Sequence, residues 1–89
     1  MKHYKLLIGG KLVDGAAEMA VVNPATGEPF QTAPRASAAQ LNEAVAAAKA
    51  AYPAWAECAV QVRADKLRAL AAAIESELLE FSETLTREQ

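Results

Sequence analysis

The sequence is short of almost everything that chemistry at a protein site needs. Its 89 residues hold one cysteine, Cys58, and one histidine, His3, which excludes an internal disulfide and leaves no histidine–cysteine set for zinc. A single thiol makes the cytosol the default compartment. Aromatic side chains are few: Tyr4, Phe30, Tyr52, Trp55 and Phe81. Basic residues never cluster. Nine Lys and Arg are scattered among eleven Asp and Glu, giving a net charge of −2 and a pI near 5.3. A nucleic-acid binder would show a basic patch, so the balance argues against that class of partner. No apolar run approaches the roughly 18 residues of a membrane span. The run Leu6–Leu7–Ile8 near the N-terminus is also too short for a signal peptide.

What is present is an apolar fraction of 53% and a charged fraction of 22%, a globular balance for one small domain at most. Alanine dominates the apolar part, and an alanine buries little area. Even a compact chain of this length hides only about 60% of its unfolded surface, which leaves marginal stability. The composition therefore predicts a chain that folds poorly alone or leans on something else.

The order of patterns predicts an α+β arrangement, with strands over residues 1–36 and helices over 37–89. Residues 3–8 and 11–14 are short apolar runs around Gly9–Gly10, the pattern of a hairpin with a two-residue turn. Residues 18–23 supply a further strand. Asn23–Pro24 ends it, because a residue before proline is pushed out of the α region, and Gly27 suits a positive φ in the turn that follows. Residues 28–33 then form a last, irregular strand, which Pro29 demotes toward an edge or a loop.

The period changes at Ser37. Ser37 with Gln40 is a capping-box pattern opening a helix whose apolar face is Leu41, Val45, Ala48 and Tyr52. Pro53 cannot donate to the Lys49 carbonyl, so the helix is expected to end or kink there, with Trp55 just beyond and folding back under that face. A further helix starts near Val60. Its stripe of Leu67, Leu70, Ile74, Leu78, Phe81 and Leu85 repeats after eleven residues, which matches a nearly straight helix. Arg63, Lys66, Glu77, Glu80 and Glu83 fall on the opposite, solvated face, and Ser76 marks a place where the helix divides. Two to three helices are thus expected in all.

None of the chemistry-bearing residues makes a site. Cys58 has no cation or base beside it in sequence; its place before a helix offers some dipole activation, but a buried or half-buried turn residue is the simpler reading. His3 reads as a surface residue near the terminus. Gly9–Gly10 lacks both the dinucleotide fingerprint and the P-loop pattern. The glutamates of the last helix read as a solvated face, with no apolar pocket to separate an acid from a base.

Four stretches stand in a fixed order: LLIGGKLVDG (6–15), VVNPATGEPF (21–30), LNEAVAAAKAAYPAWA (41–56) and RADKLRALAAAIESELLEFSETLTREQ (63–89). Together they resemble the N-terminal segment of the NAD(P)-dependent aldehyde dehydrogenase superfamily. That family opens with a strand pair around a pattern like I-N-G-x-W-V-x-G, then shows N-P-A-T-G-E, a helix ending in A-F-P-x-W, and a long helix ending in T-x-E-x-G-K-P. Gly9 stands where the family usually has Asn, Leu12 where it often has Trp, and Tyr52 where Phe is common.

The resemblance implies part of a larger α/β enzyme that oxidises an aldehyde through a cysteine thiohemiacetal, hydride transfer to NAD or NADP, and thioester hydrolysis. Its nucleophile, general base, oxyanion-hole asparagine and cofactor-binding residues match no position up to Gln89, and Cys58 is not the nucleophile. The resemblance therefore implies no catalytic, cofactor-binding or metal residue here. In some members a backbone carbonyl before the N-P-A-T motif helps ligate a monovalent cation. Val22 is the matching residue, but the other ligands would come from later sequence, so no metal site is assigned to it. The expected partner is the remainder of the dehydrogenase chain. The alternative is a free-standing helical module that self-associates, or docks on a partner, through the Leu67–Leu85 stripe.

Overall fold

A computed structural model describes residues 3–89; the first two positions of the 1–36 strand segment lie outside the described residues. Four strands precede three helices: β1 (Leu6–Ile8), β2 (Lys11–Val13), β3 (Ala17–Asn23), β4 (Glu28–Arg35), α1 (Ala38–Glu57), α2 (Val60–Ser76) and α3 (Leu78–Glu88). The strands form two separate antiparallel pairs, β1 with β2 and β3 with β4. The α+β expectation holds.

The β1–β2 turn is Gly9–Gly10, with φ of 60° and 77°. Two positive φ values in a row twist the hairpin with its strands and suit glycine or asparagine, so the departure at Gly9 keeps the turn chemistry. In the β3–β4 pair, Val21 faces Gln31 and Val22 faces Pro29, which leaves Phe30 without a partner at the irregularity between them. β4 is longer than expected and runs through both Pro29 and Pro34 to Arg35. Proline fits because each strand of a two-stranded sheet has a free edge, where no ladder amide is needed.

Ser37 caps α1 as its spacing with Gln40 predicts. The Gln40 amide donates to Ser37 Oγ at 3.1 Å, and the Ser37 amide donates to Gln40 Oε1 at 3.0 Å. The expected stop at Pro53 does not occur. α1 continues to Glu57, and Trp55 lies on the helix rather than beyond it. Proline removes the one bond to the Lys49 carbonyl, but the turn after it remains helical, closed by the Cys58 amide donating to the Trp55 carbonyl at 3.1 Å. Trp55 follows Tyr52 by three residues and so extends the same apolar face. The expected division near Ser76 is present at Glu77, whose φ of −108° and ψ of 16° separate α2 from α3. The Ser76 hydroxyl donates to the Ala73 carbonyl at 2.7 Å, a side-chain bond that competes with helix continuation.

α1 packs on β1 and α3 on β3. Ile8 is the one buried apolar side chain among the described residues, 9% exposed. The radius of gyration is 16.5 Å, against about 12 Å for a compact chain of 89 residues.

Candidate functional site

The feature that dominates the surface is apolar. Leu67, Leu70 and Ile74 on α2 and Leu78, Phe81 and Leu85 on α3 form the stripe read from the sequence, and each is 49% to 61% exposed. The second apolar face, Leu41, Val45, Tyr52 and Trp55 on α1, is exposed as well. Helix α1 turns its alanine side toward the first hairpin, where Ala44, Ala47, Ala48 and Ala51 lie with Leu7, Ile8 and the Gly9–Gly10 turn around a shallow depression. A β-carbon built at Gly9 would touch the Ala47 methyl at 3.7 Å. Small side chains let the helix approach the turn, and the larger ones face away.

The accessible surface is 7148 Å². A compact chain of this mass exposes about 5,000 Å², so about 2,100 Å² remains that a folded domain would hide. That is more than twice the roughly 800 Å² each partner contributes to a standard-size interface. Much of the exposed apolar side-chain surface lies on α1, α2 and α3.

A cleft of about 470 Å³ opens beside the stripe, floored by Tyr4, Ala33 and Phe81 and rimmed by Glu77, Glu80 and Glu88. Acid–base catalysis would need one carboxyl withdrawn from water and another left in it. Among the described residues no polar or charged side chain is buried. Nor do any three or more His, Cys, Asp or Glu among them gather to hold a metal ion. The cleft is an acid-rimmed hollow.

Each residue weighed from the sequence has a structural place. Cys58 is half-buried in the α1–α2 turn, its thiol donating to the Ala54 carbonyl at 3.3 Å. His3 is a surface residue, as expected, and joins an exposed cluster: its Nε2 lies 3.2 Å from Asp14 Oδ1 and its Nδ1 3.6 Å from Glu18 Oε1. Lys5 Nζ stands 3.6 Å from the same Asp14 oxygen. The hydrogen bond with His3, and then the Lys5 charge, hold the Asp14 carboxyl below its ordinary pKa.

The Asn23–Gly27 stretch closes on itself. The Ala25 amide donates to Asn23 Oδ1 at 2.9 Å, and the Gly27 amide donates to the Asn23 carbonyl at 2.8 Å. This turn and the Gly9–Gly10 turn both lead into strands, and Ser37 occupies the start of α1. Neither turn opens directly into a helix, so neither has the form of the glycine-rich dinucleotide phosphate turn.

Two features escaped the sequence reading. Gln40 does more than complete the capping box. Its Oε1 also accepts from the Ala16 amide at 3.1 Å, and its Nε2 donates to the Asp14 carbonyl at 2.9 Å. Both partners lie more than twenty residues away, beyond the reach of any local pattern. At the same junction a β-carbon on Gly15 would meet the Arg35 carbonyl oxygen at 2.8 Å and the Arg35 nitrogen at 2.9 Å. The second feature is Arg63, expected on a solvated face. It is half-buried, and its Nε is shielded from solvent with no hydrogen-bond partner. A helical wheel places a residue on a face but cannot tell how far its stem is covered.

No helix among the described residues is long and apolar enough to cross a membrane. The family model described as "Aldehyde dehydrogenase family" matches residues 12–89. The chain is 37% identical over 87 residues to the acylating methylmalonate-semialdehyde/malonate-semialdehyde dehydrogenase, mitochondrial, of Homo sapiens, covering 96% of this chain and 16% of the human protein. It is 38% identical over 84 residues to the N-succinylglutamate 5-semialdehyde dehydrogenase of Chromobacterium violaceum, covering 93% of this chain and 17% of that one. The protein of the same name from Chromohalobacter salexigens is 53% identical over 53 residues, which cover 58% of this chain and 11% of that one. The chain thus spans about one-sixth of the length of the first two relatives. No solved structure gives a significant match.

Proposed function

The chain belongs to the aldehyde dehydrogenase family, and from that premise we propose that it serves as the N-terminal structural part of an NAD(P)-dependent enzyme oxidising an aldehyde to a carboxylic acid. In this reading residues 1–36 and 37–89 are the strand and helical segments of one unit attached to the cofactor-binding domain. The remainder of the dehydrogenase chain covers the apolar faces of α1, α2 and α3. The nucleophile, the base and the groups that hold NAD or NADP belong to that remainder, and no catalytic, cofactor or metal role falls to residues 1–89. A cytosolic location fits the single thiol.

The observation that carries the reading is the stripe from Leu67 to Leu85, about half of whose apolar surface is open to solvent. A helix buries such a stripe against another element, and the described residues cover it only in part. The family match gives no support to a free-standing interaction module.

The test is the intact mass of the protein as its host makes it, captured with an antibody raised against residues 1–89, followed by an assay of the captured material. The expected result is a species several times the 9.4 kDa of this chain that reduces NAD or NADP only when an aldehyde is supplied. A native species of 9.4 kDa without that activity would overturn the proposal and assign the stripe to a second copy or another partner.

A further inference from the structure

We draw no further inference here: the strongest candidate, the acid-rimmed cleft between Tyr4, Ala33 and the α3 residues Phe81 and Glu88, carries nothing because it is an acidic cluster on an open apolar wall and nothing in the structure shows what covers it.

Discussion

The strand region from Leu6 to Arg35 and the helical region from Ala38 to Glu88 are completed by different means. In the strand region the polar groups at the turns find partners within a few residues, and Gln40 ties the loop after β2 to the start of α1. In the helical region backbone bonding is internal to each helix, but the apolar faces are covered only in part. A hydrogen bond needs one correctly placed partner, which a short chain can supply. Burial of a stripe needs area, and area grows only with the amount of chain available to pack.

The largest effect should come from truncating the stripe. Within an assembled dehydrogenase, Phe81→Ala should cost about 3–5 kcal/mol, the usual range for emptying a buried aromatic site. In the isolated chain, where Phe81 is already half in water, the same change should leave helicity by circular dichroism almost unaltered. Urea unfolding of the parent enzyme, set beside the spectrum of the short chain, reads both. An equal response in the two settings would erase the contrast between the regions.

Next comes the junction on the strand side. Gly15→Ala drives a methyl group against the Arg35 backbone, which cannot swing aside as a side chain would. A loss of about 1–3 kcal/mol is expected, typical of overpacking, with faster amide exchange at Ala17 and Arg35. Unchanged exchange there would mean that the junction is loose.

Gln40 allows a finer dissection. Gln40→Ala removes the helix cap partner and both long-range bonds, for a loss of about 2 kcal/mol. Gln40→Glu keeps an acceptor for the Ser37 and Ala16 amides but has no donor for the Asp14 carbonyl, so about 1 kcal/mol is expected. Thermal unfolding of the parent enzyme carrying each variant separates the two. Identical losses would reduce Gln40 to a local cap.

The smallest effect is one of pH. The Asp14 pKa is lowered in the fold by His3 and Lys5. Its stabilising contribution is therefore present above the unfolded carboxylate value of about 3.9 and is lost as pH falls through the lower folded value. Asp14 is fully exposed, so solvent screens the effect. A carboxyl NMR titration should show the low midpoint return to the ordinary value in a His3→Ala, Lys5→Ala double variant.

Local rules made much of this fold legible. The Gly9–Gly10 turn, the strand end at Asn23, the Ser37–Gln40 cap and the division near Ser76 all depend on residues within four positions of one another. Pro53 misled because a single missing bond does not stop a helix whose following turn is closed by Cys58. The stripe was legible as a pattern, since spacing alone places Leu67 to Leu85 on one side. Its exposure was not, because exposure depends on what packs there. Gln40's bonds to Asp14 and Ala16 were hidden for the related reason that they join residues remote in sequence. The candidate surface was thus visible in outline, and the half-burial of Arg63 was not.

Gln40 also bears on the order in which the chain is completed during synthesis. A ribosome adds about 5–20 residues per second from the N-terminus. The strands and the residue that ties them to α1 are made, and emerge, ahead of α2. Among the described residues, the stripe that follows is left about half exposed. The nascent chain consequently presents a tethered strand unit first and a long apolar helix face after it. In the proposed reading, that face stays open to chaperones, or to aggregation, until the rest of the dehydrogenase chain covers it.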